Sequence, residues 1–319
     1  MSVVFFAAPI ALLGAGLVYQ RIASRRERRL HPPTGRLVDV GGFRLHLHAM
    51  GEGRPTVVLD SALAGTSLSW SEIQPRVAAF SHVVSYDRAG FGWSEPSPSP
   101  RTVNHMVEEL HGLLSKGEVP GPYVLVGHSY GGWIAQLFAS RHRDEVAGLV
   151  LVDSPHPREW CEPDAAQKAR VARGARLARR AALAARFGLM RWMFVLSRIS
   201  IFDEHSRVTT LLAKTPPSVR EHLRRFWVRP ETLEALASQI EHAPESAARV
   251  AAEKVDLCDI PLVVLTAAHP SPERLADQEA TAKLSRAGRH IVAKTSGHWI
   301  PLEEPELLVE AIQDVVTSR

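Results

Sequence analysis

The sequence predicts an α/β fold in which short buried strands alternate with helices, interrupted once by a long helical stretch. Three observations carry this reading. Tyr123-Val124-Leu125-Val126-Gly127-His128-Ser129-Tyr130-Gly131-Gly132 has the form of a buried strand, a sharp turn and a helix that begins near Trp133. Other short apolar runs, Thr56 to Asp60, His82 to Tyr86, Ala147 to Val152, Pro261 to Thr266 and Arg289 to Ala293, read as strands on either side of it. Between Arg158 and Lys254 the chain turns to Ala, Arg, Leu and Glu at helical spacing, with breaks expected at Gly174, Gly188, Pro216-Pro217 and Pro230.

A length of 319 residues suits two domains or one large α/β domain carrying an insertion, and 45% hydrophobic residues supply ample core. Cys161 and Cys258 are too few for a disulfide framework, and no metal-ligand cluster is apparent. The net charge of +4 comes with arginines concentrated in residues 21 to 29 and 170 to 198, neither interleaved with a nucleic-acid module. A basic face towards anionic lipid is the expected use, and nucleic acid is not an expected partner.

Val3 to Tyr19 is apolar without a charge, and Arg21, Arg25, Arg26, Arg28 and Arg29 follow. About 17 residues make a helix of roughly 26 Å, slightly short for a hydrocarbon layer of about 30 Å. The positive charge comes after the apolar run rather than before it, so an uncleaved membrane anchor is expected over residues 1–30, not a signal peptide. The positive-inside tendency would then keep the catalytic domain cytoplasmic. Pro9, Gly14 and Gly16 weaken such a helix, and a peripheral apolar tail is the competing reading.

From Pro32 a folded domain is expected. Arg36 to Val40 and Phe43 to His48 alternate around Gly41-Gly42 as a β-hairpin, with His46 and His48 on one face and expected to meet solvent. The strand Thr56 to Asp60 leads into Ser61 to Trp70, a loop of small residues able to bring backbone N–H groups against a ligand. The strand His82 to Tyr86 delivers Asp87-Arg88-Ala89-Gly90-Phe91-Gly92-Trp93-Ser94, whose charged pair is expected to hold the loop rather than to catalyse. At the Gly127-x-Ser129-x-Gly131 elbow, small flanking residues let strand and helix pass while lifting a hydroxyl clear of the sheet. That hydroxyl sits at a helix N-terminus, where unpaired N–H groups favour developing negative charge. Near the end, Thr295-Ser296-Gly297-His298 follows a strand through a small-residue turn, and Glu304 to Val316 closes the chain as an amphipathic helix. Ser129 is the expected nucleophile and His298 the expected base.

The Asp87 to Ser94 loop, the Gly127 to Gly132 elbow and the Ser-Gly-His near the end together resemble the α/β-hydrolase superfamily, in its capped esterase-like members. The resemblance covers roughly residues 34–153 and 255–317. It implies an α/β-hydrolase fold: a mostly parallel eight-stranded sheet with helices on both faces, an inserted helical cap, and a triad in the order Ser, acid, His. The chain then divides into residues 1–30, an anchor and basic flank; 31–153, the first part of the core; 154–254, the cap; and 255–319, the rest of the core. Where many members carry His-Gly after the third strand, this chain has Ser61-Ala62. By position the oxyanion donors are the N–H groups of Leu63 and Tyr130.

In many relatives the acid follows the strand that here is Leu262 to Thr266, but that place is held by Pro270, with Glu273 and Asp277 further along. The other place the superfamily uses is the preceding strand end, where Asp153 follows Leu149-Val150-Leu151-Val152. Asp153 is therefore the first choice, with Glu273 and Asp277 as alternatives. In the cap, Arg173, Arg176 and Arg180 share one helix side; Trp192, Met193 and Phe194 add bulky apolar surface, and Phe226 and Trp227 suit either pocket or packing. The expected activity is hydrolysis of a carboxylic ester of a small or medium apolar substrate through an acyl-enzyme, with no metal or organic cofactor. Lactonase, thioesterase, amidase and perhydrolase chemistries are compatible alternatives, and a non-catalytic small-ligand binding protein is the rival from another class. Substrate identity and oligomeric state are not legible.

Overall fold

The computed structural model describes residues 2–196, 214–253 and 255–318, the side chains of 2–10, 194–196 and 218 excepted. Eight strands form one sheet: β1 (Arg36–Asp39), β2 (Arg44–Met50), β3 (Thr56–Asp60), β4 (Val83–Tyr86), β5 (Tyr123–His128), β6 (Val146–Val152), β7 (Leu262–Thr266) and β8 (Gly288–Val292). Their order is β1-β2-β4-β3-β5-β6-β7-β8. β2 pairs antiparallel with β1 and β4, and every other neighbouring pair is parallel.

The described helices longer than one turn are α1 (Ser2–Leu30), α2 (Val103–Lys116), α3 (Gly131–Arg141), α4 (Ala165–Arg186), α5 (Leu189–Leu196), α6 (Pro217–Trp227), α7 (Pro230–Glu241), α8 (Ala243–Ala252), α9 (Pro272–Ala282) and α10 (Pro305–Thr317). The strands are apolar on both faces because both faces are covered. Val58, Val84, Leu125, Leu149 and Val264 pack with residues of α2, α3 and α8. Their strand neighbours Val57, Val83, Val124, Val150 and Val263 point the other way, onto Trp70, Ile73 and the α10 residues Leu308, Ile312 and Val315. This is the α/β-hydrolase fold the resemblance implied.

Between β6 and β7 the described regular elements are helices, joined by short loops. Ala175, Ala178, Ala182 and Ala185 recur at helical spacing on the buried side of α4, so small side chains let α7 lie close along it. Met190, Leu223, Phe226, Trp227 and Leu233 fill a separate apolar cluster, so Phe226 and Trp227 are packing residues. Arg173, Arg176 and Arg180 are exposed, as are Trp192 and Met193, while the side chain of Phe194 lies outside the described residues. Gly188, with φ of +73°, ends a helical run as expected, and Pro217 and Pro230 each open a helix. Gly174 does not break α4. It sits inside the helix, where an added Cβ would reach Ile240 Cγ2 at 3.4 Å.

The expected membrane anchor is corrected. Among the described residues no helix is long and apolar enough to cross a membrane. The helix that holds the apolar run does not stop at Tyr19 but continues through the arginines to Leu30, and its second half is seated on the cap. Gly16 lies against the Phe187 carbonyl, and the Tyr19 ring stands 6.3 Å from that of Trp192. Buried Gln20 donates to the Val228 carbonyl at 3.1 Å and accepts from Arg191 Nε at 2.7 Å; Arg191 Nη2 in turn reaches Glu27 Oε2 at 2.8 Å. Those polar contacts bind the helix to protein. The cytoplasmic tethering derived from an anchor falls with it, and no spanning helix among the described residues supports a membrane partner through this segment.

Candidate active site

β5 and β6 end in the same local device. Ser129 follows β5 with φ of +52°, and Asp153 follows β6 with φ of +43°. The left-handed region costs a residue with a Cβ of order 1–3 kcal/mol, so the surrounding contacts must hold both turns. They do so by extending the ladder: Ser129 N donates to Val152 O at 2.8 Å, and Asp153 N to Leu265 O at 2.7 Å. The elbow also depends on missing side chains. A Cβ on Gly127 would sit 2.5 Å from the Gly131 carbonyl oxygen, and one on Gly131 would sit 2.6 Å from that of Asp60.

His298 comes from the loop after β8. Glu304 Oε1 accepts the N–H groups of Thr295 and Ser296 at 2.5 and 2.6 Å, and Glu303 Oε2 accepts that of Gly297 at 2.6 Å. Burial works to raise the Glu304 carboxyl, but those N–H donors prevail and hold it down at about 2. His128 Nε2 donates to the His298 carbonyl at 2.8 Å. The loop is thereby fixed on both sides of the imidazole.

His298 Nδ1 meets Asp153 Oδ2 at 2.6 Å. Donation from Nδ1 leaves the lone pair of the neutral ring on Nε2, which no hydrogen bond engages among the described residues. The other carboxylate oxygen, Oδ1, accepts from Ala267 N at 3.2 Å and Arg274 Nη2 at 3.0 Å. Burial alone would raise the Asp153 carboxyl; the His298 hydrogen bond, Arg274 and the Ala267 N–H outweigh it and hold the acid well below the usual carboxylate range.

Ser129, Asp153 and His298 line one cavity of about 630 Å³ together with Leu63, Tyr130, Arg274 and the cap residues of α4 and α7. The structure brings all five residues singled out from the sequence to it. It does not join Ser129 Oγ to His298 by a hydrogen bond. Among the described residues neither the Leu63 nor the Tyr130 backbone N–H has a partner within the protein. Arg88 Nη2 donates to Ser61 O at 2.9 Å and also to Ala62 O, and Ala64 N donates to Gln239 Oε1 on α7 at 3.1 Å, so the loop carrying Leu63 is pinned from beneath and above. The Tyr130 phenol is pushed up to about 12 by burial, despite its hydrogen bond to Ser246, and stays neutral.

The two alternative acids stand elsewhere. Glu273 is exposed, and Asp277 faces His156 at 4.0 Å. The residue of that helix that reaches the site is Arg274, which the sequence reading passed over, as it did Glu159, Trp133 and Trp160. Nothing in the spacing of these residues distinguishes them from packing or surface positions. A second correction concerns His46, expected in solvent but fully buried: Nδ1 donates to Asp87 Oδ2 at 2.9 Å and Nε2 accepts from Gly35 N at 3.1 Å. Asp87 therefore pairs with His46 rather than with its neighbour Arg88.

Away from the cavity, His111, His142 and Glu145 cluster closely enough to suggest metal ligands. The two rings stack 3.9 Å apart at 9°, so their in-plane lone pairs run nearly parallel and do not converge on one ion.

An open, mostly parallel sheet with a cavity at its carboxyl edge, beneath inserted helices, is the architecture of the α/β-hydrolase class of folds. The model of the alpha/beta hydrolase family matches residues 45–311, most of the chain, and the protein belongs to that family. It is similar to the 2-hydroxymuconate semialdehyde hydrolase of Pseudomonas sp. (strain CF600), 33% identical over 126 residues that make up 39% of this chain and 44% of that protein. Among solved structures it is similar to a thermophilic esterase from Thermogutta terrifontis, with a TM-score of 0.62 at 25% identity over 86% of this chain and 95% of that one. It shares its fold with the enol-lactonase from Burkholderia xenovorans LB400, with a TM-score of 0.62 at 21% identity over 89% and 100% of the two chains. The matched stretch spans 46%, 16% and 51% of the length of three of the curated relatives.

Proposed function

We propose that this protein is a serine hydrolase that cleaves a carboxylic ester of a small or medium apolar substrate through an acyl-enzyme. The observation that carries the reading is a single cavity lined by Ser129 on its strained elbow and by the hydrogen-bonded Asp153–His298 pair. Ser129 Oγ attacks the ester carbonyl and passes its proton to His298 Nε2, while Asp153 holds Nδ1–H and stabilises the imidazolium. The tetrahedral oxyanion accepts the N–H groups of Leu63 and Tyr130, each worth about 10²- to 10³-fold in rate. The alcohol leaves with the proton from His298. Water, deprotonated in turn by His298, then attacks the acyl-enzyme and releases the acid. The serine–histidine hydrogen bond that this step uses forms as substrate draws the groups together. Trp133, Trp160, Val171 and Ile240 supply the apolar wall for the substrate's carbon skeleton.

In this reading residues 154–254 are a cap that shapes the pocket, and residues 31–153 and 255–319 form the catalytic core. The test is a panel of p-nitrophenyl esters of rising chain length, beside lactones and amides, with labelling by a fluorophosphonate probe. Ester turnover and labelling are expected in the wild type and neither in Ser129→Ala. Turnover that persists in Ser129→Ala with the same substrate profile would sink the assignment.

A further inference from the structure

We propose that Arg274 is a positioning residue for the proton-transferring pair: it clamps the Asp153 oxygen that faces away from His298, and its charge moderates the basicity of the imidazole. The proposal rests on the serine-hydrolase reading of the same site. Ser271 caps α9 by accepting the Arg274 N–H at 3.2 Å, which sets Arg274 in the first helical turn beside the end of β6. From there Nη2 reaches Asp153 Oδ1 at 3.0 Å and the Asp153 carbonyl at 3.2 Å, while Nη1 reaches Glu159 Oε1 at 2.8 Å. One guanidinium thus ties the acid to the first turn of the cap.

The consequence is electrostatic. An Asp carboxylate favours imidazolium, and a cation held against that carboxylate offsets part of the effect; Glu159 offsets part of the cation. Among the described residues the following charged or titratable groups also stand around His298. His128 lies beside it with ring centroids 4.9 Å apart and planes tilted by 39°, Glu303 and Glu304 hold its loop, Lys214 is paired with Glu303 at 3.1 Å, and Arg170 lines the same cavity. His156 and Asp277 face each other one turn further along α9. Of these, only Arg274 touches the carboxylate that His298 uses.

The test follows kcat/KM for a p-nitrophenyl ester across pH and, separately, titrates the His298 imidazole by NMR without substrate, in the full chain and in Arg274→Gln, Arg274→Lys and Glu159→Gln. Arg274→Gln is expected to move both the acid limb and the NMR midpoint up by about one pH unit. Glu159→Gln moves both down by less, since Glu159 is partly exposed and screened. Arg274→Lys keeps the limb near that of the wild type while kcat falls about tenfold, because an ammonium cannot hold both carboxylates as a fork does. A limb and midpoint unmoved in folded Arg274→Gln, or shifts of the same sign in the Arg274→Gln and Glu159→Gln variants, would overturn the proposal. Should Arg274→Gln fail to fold, the direction of the Glu159→Gln shift decides. Absence of ester turnover in the wild type would strike the serine-hydrolase reading, whereas the NMR midpoints judge Arg274 by themselves.

Discussion

Among the described residues two histidine–aspartate pairs have nearly the same local geometry. His46 Nδ1 meets Asp87 at 2.9 Å, and His298 Nδ1 meets Asp153 at 2.6 Å. They differ in what happens at the other ring nitrogen, for the outer carboxylate oxygen is engaged in both. His46 Nε2 is closed by the Gly35 N–H, and Asp87 accepts Ser67 N at 2.7 Å and Trp93 N at 2.9 Å, all away from solvent. Burial pushes the Asp87 carboxyl up, and His46 with the two N–H donors more than reverses it, so the carboxylate stays ionised and spent on structure. His298 keeps Nε2 open beside a cavity that Ser129 also lines. What separates the two pairs is thus whether the outer ring nitrogen is occupied, not the bond between their members.

Four predictions test that contrast. The largest effect belongs to the open side: Ser129→Ala or His298→Ala is expected to lower ester turnover by about 10⁴-fold or more with cooperative unfolding retained, and Asp153→Asn by about 10³- to 10⁴-fold through the wrong imidazole tautomer. If Glu273→Gln or Asp277→Asn is crippled instead while Asp153→Asn stays near wild type, the wrong carboxylate has been assigned.

On the closed side the currency changes from rate to stability. His46→Ala or Asp87→Ala removes one partner of a fully buried pair and is expected to cost about 3–5 kcal/mol in urea unfolding, while turnover per folded molecule stays within a few-fold. A variant of either residue that keeps full stability but loses turnover breaks the comparison.

Glu304 gives a smaller effect that sharpens it, because this carboxylate is spent on the loop of the open pair. Its folded value is lowered from 4.5 to about 2, so its contribution is present above pH 4.5 and is lost as pH falls towards 2. Glu304→Gln is expected to flatten the acid side of the stability profile and to lower kcat about tenfold by loosening His298; a profile as steep as that of the wild type would show that the loop does not depend on this charge. The smallest effect is expected at Ser67, whose hydroxyl is 3.4 Å from His46 Nδ1, an atom already committed to Asp87. Ser67→Ala should change stability by about 0.5 kcal/mol and turnover not at all. A larger loss of turnover would mean that this serine has a chemical role beside His46.

Much of the fold was legible because strand and helix signals are local. The strand bounds read from apolar runs agree with those of β3 to β8 to within a residue or so, and the elbow could be read from glycines whose absent Cβ atoms make room for Gly131 and Asp60 backbone. The N-terminal helix misled for the same local reason. A hydropathy pattern describes what a segment could dissolve in, and it contains nothing of Gln20, Arg191 and Val228, which meet only when α1 docks on the cap. His46 was misread because period-two alternation assigns a face but not what later covers it.

Taken alone, the sequence determined the α/β class, the strand-end turns that carry Ser129 and His298, and their order along the chain, since each turn depends on residues within a few positions of one another. Tertiary structure decided which carboxylate stands against His298, what Arg274 and Glu159 hold, and which histidine is sealed. Asp153 and His298 are separated by 145 positions and Arg274 and Asp153 by 121. The chance of such groups meeting is set by how β6, β7 and β8 lie side by side and by how α9 is capped, and no local pattern encodes that register.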